Sequence, residues 1–180
     1  MMKVMILAAC AILLGAAEDT PPKPNLLLNG DFAQAGKDDR PAQWTVYGAK
    51  GQTIAVDKDE HPKDCPISLK VTINEAADGQ GAISQKHKKI TPNKTLVLTG
   101  YLKGTAKRLG CLQVKLKNAS EELKRITTDY NGGGADWQAV KVEFTTGEAD
   151  EMIVQCRYSQ SDNAKGQTVW FADLKLTEKE

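Results

Sequence analysis

The chain has 180 residues, of which 41% are hydrophobic and 26% are charged, with 24 Lys and Arg against 23 Asp and Glu. This is the composition of an ordinary globular protein of one domain, which excludes a disordered or membrane-embedded chain. The near-neutral balance gives no general electrostatic reason to bind nucleic acid or anionic lipid, so neither is predicted as a partner.

The first 17 residues read MMKVMILAACAILLGAA, a lone lysine followed by an apolar run and small residues. The apolar run is only about fourteen residues long, so it predicts a signal peptide cleaved after Ala17 and no membrane span. The alternative interpretation is a lipoprotein box at residues 7–10, with Cys10 acylated. We expect residues 18–24 to be an extended linker, residues 25–180 to be the domain, and the protein to be secreted or periplasmic.

The domain opens with residues 25–48, which read NLLLNGDFAQAGKDDRPAQWTVYG. An apolar run, a tight Asn29-Gly30 turn and a second, aromatic run predict two antiparallel strands. Alternation along the second run places Trp44 and Val46 in the core, which leaves Tyr47 on the opposite face.

Further short runs with a period of two recur between turn residues, and no segment has a convincing helical stripe. They predict an all-β, antiparallel β-sandwich of roughly ten strands. Residues 120–124 could form a single turn. The predicted strands cover residues 26–28, 44–47, 53–56, 67–73, 82–86, 95–103, 111–117, 124–129, 138–145, 152–158 and 167–176.

The same alternation separates core side chains from surface side chains. It assigns Trp170 to the core, because Trp170 has the parity of Ala172 and Leu174. Gln85 has the parity of Ile83, which predicts a buried, hydrogen-bonded amide. Tyr101 is expected to face outward. Core residues predicted in this way are Ile67, Leu69, Val71, Ile73, Leu98, Leu102, Leu112, Val114, Leu116, Val140, Val142, Phe144, Val154 and Cys156.

The NGDF turn followed within about fifteen residues by a tryptophan resembles the opening of carbohydrate-binding modules of the family-four and family-nine type. The later runs at 68–72, 83–85, 96–104, 137–146 and 169–176 fall in that family's order. The resemblance implies a galactose-binding-like jelly roll that binds a polysaccharide or oligosaccharide. It also implies that Trp137 is structural.

Sugar recognition needs a flat aromatic surface and polar groups that bond hydroxyls. The resemblance implies that Tyr47, three residues after the motif tryptophan, lines the binding face. Polar residues of two later strands are predicted to complete the site, with two further residues at its margin: Gln113, Lys115, Gln155 and Arg157, then Asn118 and Lys86.

The family often holds a structural calcium between the first turn and the last strand, where Asp31 and Asp173 could supply oxygen ligands. Ala33 and Ala172 stand where further carboxylates are usual, so we expect no cofactor and little effect of calcium.

No sequence pattern provides a nucleophile with its base, a carboxylate pair or a metal-binding cluster. His61 and His87 read as solvated loop histidines. The three cysteines Cys65, Cys111 and Cys156 can form at most one disulfide, and their spacing has no metal-ligand character. We therefore predict a monomeric, non-catalytic glycan-binding module. The alternative is a cell-envelope structural or protein-interaction domain with the same fold and no sugar site.

Overall fold

The computed structural model describes residues 23–37, 40–48, 50–77 and 79–179. They form ten strands and one short 3-10 helix at Asp162–Ala164, which confirms the predicted all-β class. The predicted leader and residues 18–22 of the linker lie outside the described residues. Within the described part, no helix is long and apolar enough to cross a bilayer. The strands are β1 (Thr45–Tyr47), β2 (Gln52–Asp57), β3 (Ser68–Ile73), β4 (Gln80–Lys88), β5 (Thr95–Gly104), β6 (Gly110–Asn118), β7 (Glu121–Thr127), β8 (Gly134–Thr145), β9 (Glu151–Ser159) and β10 (Thr168–Glu178).

The ten strands form two antiparallel sheets of five strands each. The front sheet has the order β1-β4-β9-β6-β7, and the back sheet has the order β2-β3-β10-β5-β8. Alternate side chains of both sheets point inward and form one hydrophobic core. The outward side chains form two surfaces, which we call the front face and the back face.

The NGDF turn and Trp44 pack together. The rings of Phe32 and Trp44 lie 5.4 Å apart between centroids, and Trp44 Nε1 donates to the Asn29 carbonyl at 3.0 Å. Gly30 is required because a Cβ there would overlap the Leu174 carbonyl oxygen. The turn therefore fixes the start of the domain against its last strand.

Residues 26–28, predicted as a strand, are not one. The segment bends, and Gln85 holds it in place: Gln85 Oε1 accepts from the Leu28 amide at 2.9 Å, and Gln85 Nε2 donates to the Leu28 carbonyl at 2.7 Å. The predicted buried, hydrogen-bonded role of Gln85 is confirmed. Its amide supplies both bonds that a neighbouring strand would otherwise provide.

Trp170 does not lie in the core between the sheets, and the alternation argument was wrong for it. The register of β10 against β5 shifts between Ala172 and Lys175, where Asp173 adopts a φ of 47°. This bulge reverses the parity, so Leu174 points inward while Trp170 points to the back face.

The segment at 120–124, predicted as a turn, belongs mostly to strand β7. Ala119 and Ser120 both have positive φ and form a two-residue hairpin turn after Asn118, which pairs with Glu121.

The adjacent strands β6 and β9 carry Cys111 on the front face and Cys156 in the core, so these two thiols point to opposite sides of one sheet. Cys65, Cys111 and Cys156 are all buried and free in the described structure.

Candidate functional site

The front face brings most of the predicted binding residues onto one surface. Strand register places them in three neighbouring rows that run across the sheet. The first row contains Tyr47, Ala82, Arg157 and Cys111; the second contains Thr45, Ser84, Gln155, Gln113 and Thr127; the third contains Lys86, Ile153, Lys115 and Arg125.

Tyr47 stands at the β1 edge of this surface. Val46 beside it packs against the core and Trp44 is part of the core, so alternation directs Tyr47 outward as predicted. Its side chain is 71% exposed. A large ring exposed to this degree makes no contribution to the core and is available as a flat apolar surface.

Arg157 lies near the middle of the front face and is held by two glutamines. One guanidinium nitrogen donates to Gln113 Oε1 at 2.9 Å, and the other terminal nitrogen donates to Gln80 Oε1. Gln113 in turn donates from Nε2 to Thr127 Oγ1 at 3.1 Å. This chain of hydrogen bonds fixes the guanidinium plane before any ligand arrives.

Gln155 lies beside Gln113 in the second row. Gln113 is 3% exposed and Gln155 is 5% exposed, although both lie on the outward side of the sheet. Within the described part of the chain, Gln155 Oε1 is buried without a hydrogen-bond partner. A buried acceptor left without a partner is costly, so this oxygen adds little to stability.

The third row carries the basic side chains. Lys86 is ion-paired with Glu151 at 3.0 Å, and Lys117 approaches the same carboxylate oxygen at 4.0 Å. Burial lowers the pKa of the Lys115 ammonium, and the charges of Arg125, Arg157 and Lys117 lower it further, against the charge of Glu122, which raises it. Lys115 is thus a partly desolvated cation among other cations.

Tyr130 is a second aromatic residue of the front face that the sequence did not reveal. It follows β7, and it lies beside the Cys111 thiol at the end of the first row opposite Tyr47, where the two groups influence each other's pKa. The Arg108 guanidinium lies 4.9 Å from the ring centroid. Burial raises the pKa of the Tyr130 hydroxyl and of the Cys111 thiol, so both stay neutral near pH 7.

A sequence signal for Tyr130 does exist. Cys111 has the parity of the outward side chains Gln113 and Lys115, yet a cysteine is among the residues most often buried. An apolar residue of outward parity indicates that another segment covers it. Here that segment is the loop between β7 and β8, which carries Tyr130.

Asn118 does not join the front face, which corrects its predicted role. It alternates with Leu116 toward the core side at the end of β6, and its Nδ2 donates to the Glu148 carbonyl at 2.9 Å. It anchors the loop before β9 instead of facing a ligand.

The predicted metal ligands are not arranged as a cation site. Asp173 Oδ2 lies 2.7 Å from Lys175 Nζ, and Asp31 Oδ1 accepts from the Ala33 amide at 3.2 Å. The backbones do meet, because the Leu174 amide donates to the Gly30 carbonyl at 2.9 Å. Among the described residues no group of three or more His, Cys, Asp or Glu side chains could hold a metal. The residues present therefore do not fit a bound calcium.

His87 lies in β4, not in a solvated loop as predicted. It lines a cavity of about 250 Å³ at one end of the sandwich together with Ile90, Leu96 and Met152. Desolvation lowers the pKa of the imidazole, so His87 is neutral at pH 7. This cavity is separate from the front face.

The back face has a different character, because its polar groups satisfy one another. Trp170 lies between Lys70 and Lys103, whose ammonium groups are 5.7 and 5.8 Å from its ring. Lys70 pairs with Asp57 at 3.2 Å, and Lys103 pairs with Glu60 at 2.7 Å. The indole nitrogens of Trp170 and Trp137 donate to the same two carboxylates at 3.0 and 2.9 Å. These bonds fix both indoles, and Trp170, which is 9% exposed and flanked by two lysines, offers no free stacking surface.

A family model described as a carbohydrate binding domain matches residues 24–158. No curated protein matches the chain.

Several solved structures share the fold at low sequence identity. The enzymatically active domain of tailspike protein 4 from bacteriophage CBA120 superimposes with a TM-score of 0.67 at 12% identity, over 86% of this chain but only 21% of the phage chain. A xylan-binding domain of Xyn10C from Paenibacillus barcinonensis gives a TM-score of 0.62 at 14% identity, over 83% of this chain and 91% of that one. TmCBM61 in complex with β-1,4-galactotriose gives 0.58 at 14% identity, over 87% and 99%.

Proposed function

Because the chain belongs to the carbohydrate-binding domains of the family-four and family-nine type, we propose that it binds a glycan on its front face. The binding would be reversible and would involve no bond cleavage. The structurally similar xylan-binding domain and galactotriose-bound module support a saccharide as the partner.

The observation that carries this proposal is the shared surface of Tyr47, Arg157, Gln113 and Gln155. An exposed tyrosine ring can contact the apolar side of a pyranose ring. Beside it, a fixed guanidinium and two amides supply donors and acceptors for hydroxyl groups. This combination of one flat apolar surface and a few oriented polar groups is what sugar recognition requires.

The orientation of these groups exists without a ligand. Arg157 is held at both terminal nitrogens, and the buried Gln113 is bonded to Thr127. Side chains ordered in advance lose less conformational freedom on binding, so more of the contact energy appears as affinity.

A non-catalytic role is part of the same proposal. The charged groups of the front face are largely cations, and its carboxylates, Glu151 and Glu122, bond to lysine and arginine side chains. A glycosidase needs two carboxyl groups placed on either side of the scissile bond, one of them able to donate a proton. A pair of carboxylates already neutralised by cations does not support that chemistry.

We further propose export by the leader at residues 1–17 and a monomeric state in solution. Intact mass of exported material tests the first: a chain beginning at Glu18 supports it, and a lipid-modified Cys10 contradicts it. Light scattering coupled to size exclusion tests the second.

A glycan array tests the binding proposal. The whole protein, labelled at its amino terminus, is applied to polysaccharides and oligosaccharides that include xylans, β-glucans, galactans and uronic-acid polymers. Binding to a coherent group of structures supports the proposal. Absence of binding across the array would contradict it and favour a structural or protein-interaction domain.

A further inference from the structure

The charge of the chain is sorted between its two faces. The chain as a whole carries 24 basic and 23 acidic residues, so its total charge does not explain an excess of either sign on one face. The front face nevertheless carries more cations than carboxylates. Its cations are Lys86, Lys88, Lys115, Lys117, Arg125 and Arg157, and its carboxylates are Glu122 and Glu151.

The two carboxylates are already committed to other cations. Glu151 lies 3.0 Å from Lys86 and 4.0 Å from Lys117. Glu122 receives two hydrogen bonds of 2.9 Å from Arg125. Lys88, at the exposed end of β4, forms no ion pair with a described residue. Two unbalanced cations remain on β6 and β9: Lys115, which forms no ion pair with any described residue, and Arg157, whose bonds go to neutral glutamines.

On the back face the lysines discussed above are neutralised. Lys70 pairs with Asp57, Lys103 with Glu60 and Lys175 with Asp173. Lys141, at an exposed position of the back sheet, also forms no ion pair with a described residue, but the half-buried unbalanced cations Lys115 and Arg157 lie on the surface that carries Tyr47.

The two unbalanced cations flank the buried glutamines. Arg157 pairs with Cys111 in the strand register, and Lys115 lies four residues further along β6, with the Gln113–Gln155 pair between them. Four residues of a strand span about 13 Å, and both side chains are long, so their charged ends can approach one group above that pair. The coupling of the two charges, seen in the lowered pKa of Lys115, agrees with this proximity.

Lys115 is partly buried beside Arg125, Arg157 and Lys117, and the opposing carboxylate of Glu122 is bonded to Arg125, so its ammonium is a poor structural element. It is destabilised by desolvation and by repulsion, and it gains most from an incoming anion. Arginine and lysine are the side chains that bind carboxylate, sulfate and phosphate oxygens most strongly, by charge-assisted hydrogen bonds.

We propose that the glycan bound at the front face is acidic, and that its acid group lies above the Gln113–Gln155 pair between Lys115 and Arg157. The inference rests on the proposed glycan-binding function and specifies its ligand. The shared chemistry is an anionic oxygen group on a sugar ring, supplied by a uronic-acid carboxylate or by a sulfate ester. Tyr47 would contact an adjacent ring.

The test uses pairs of polymers that differ in charge alone. Polygalacturonate and alginate are each compared with their carboxyl-reduced forms, and carrageenan is compared with its desulfated form. Affinity electrophoresis of the whole protein gives a dissociation constant for each polymer. We expect at least one charged polymer to bind about tenfold or more tightly than its neutral partner, a difference of about 1.4 kcal/mol. The carboxylate and sulfate arms identify which source supplies the acid group.

Two charge-removing variants locate the effect. Lys115→Gln removes the unpaired cation and should weaken binding of the acidic polymer about tenfold, and binding of its neutral partner by clearly less, so that the preference for the charged form falls. Lys141→Gln removes one charge from an exposed position of the back sheet and should change neither affinity. Tyr47→Ala distinguishes a sugar site from nonspecific adsorption by charge. Adsorption by charge does not involve the tyrosine ring, so only a sugar site should lose affinity in this variant.

Each result decides the inference. Equal or tighter binding of the neutral partners would overturn it and leave glycan binding itself intact. Acid-polymer binding that is unaffected by Lys115→Gln, or by Tyr47→Ala, would also overturn it. If no polymer of the set binds, the acidic ligand is excluded. Binding to xylan, β-glucan or galactan then decides whether the proposed glycan-binding function is correct.

Discussion

Arg157 and Gln113 lie on neighbouring strands of the front sheet, and a guanidinium nitrogen of Arg157 donates to Gln113 Oε1 at 2.9 Å. The other terminal nitrogen donates to Gln80 Oε1. Gln113 is buried, whereas Gln80 is exposed. One end of the guanidinium is therefore fixed by a buried side chain and the other end by an exposed side chain.

Removal of the exposed partner should affect binding more than stability. Gln80→Ala frees one end of the Arg157 guanidinium, so part of the ordering cost is transferred to the binding step. We expect a several-fold loss of glycan affinity and a change of less than about 0.5 kcal/mol in the free energy of unfolding, as for a typical surface substitution. Calorimetry with the bound glycan and urea denaturation measure the two quantities. A wild-type affinity in this variant would show that the clamp does not order the site.

Replacement by leucine should lower the free energy of unfolding at one buried glutamine of the front sheet and leave it nearly unchanged at another. Gln85 bonds both backbone groups of Leu28, so Gln85→Leu leaves them unsatisfied and should lower the free energy of unfolding by about 2 kcal/mol. Gln155 has a buried oxygen without a partner among the described residues, so Gln155→Leu should leave stability within about 0.5 kcal/mol of the wild type.

Glycan binding should show the reverse order for this pair. Gln155→Leu removes a group of the front face and should reduce affinity, while Gln85→Leu, measured well below its unfolding midpoint, should bind as the wild type does. Denaturation and calorimetry on both variants provide the comparison. Equal destabilisation by the two substitutions would mean that Gln155 has a structural role.

The back face should make stability depend on acid pH. Burial raises the pKa of the Asp57 carboxyl, but bonds from Trp170, from the Asp59 and Glu60 amides and from Lys70 outweigh it and lower the pKa from 3.8 to about 2. A carboxyl whose pKa is lower in the folded than in the unfolded chain stabilises the fold at pH values above its unfolded pKa. For Asp57 this contribution is lost as the pH falls from about 4 to about 2. The stability difference between the wild type and Asp57→Asn should therefore shrink across that interval in urea denaturation. A constant difference would contradict the assigned ionisation.

Calcium should have little effect on thermal unfolding. Asp173 is paired with Lys175 and Asp31 caps a turn, so neither carboxylate is free for a metal. A specific site at a hundredfold excess of calcium over its dissociation constant would add about 2.7 kcal/mol, which corresponds to a rise of about 6 °C or more in Tm for a chain of this size. Unfolding curves in calcium and in chelator should nearly superimpose, and a rise of that size would reveal a site.

Alternation predicted the front face well because its strands are regular. Tyr47, Gln113, Lys115, Gln155 and Arg157 all lie on strands whose register is unbroken where these residues pair, so a period of two carries the correct side along each strand. Gln85 was assigned correctly for the same reason.

The residues that alternation misplaced lie at irregular positions. A bulge at Asp173 reverses the side on which Trp170 lies, and a sequence does not show which residue of a strand is left unpaired. Asn118 ends its strand, where the backbone of the next loop becomes its partner. Tyr130 joins the front face through a loop, whose path depends on tertiary contacts and not on periodicity.

We propose that the front face binds a glycan and that Tyr47 is its main stacking residue. Tyr101 provides a matched control, because it is an outward tyrosine of the back sheet, half-buried beside Ala139 and Ala172. Both Tyr47→Ala and Tyr101→Ala are first verified as folded by circular dichroism and thermal unfolding. Tyr47→Ala should change stability by less than about 1 kcal/mol, since the ring is 71% exposed.

The decisive measurement is affinity electrophoresis of the wild type and both variants on the polysaccharide that retards the wild type most. Loss of an aromatic contact worth roughly 1 to 1.5 kcal/mol should weaken binding by Tyr47→Ala about tenfold, while Tyr101→Ala stays within about twofold of the wild type. A folded Tyr47→Ala protein that binds as tightly as the wild type would contradict the assignment of the site to the front face.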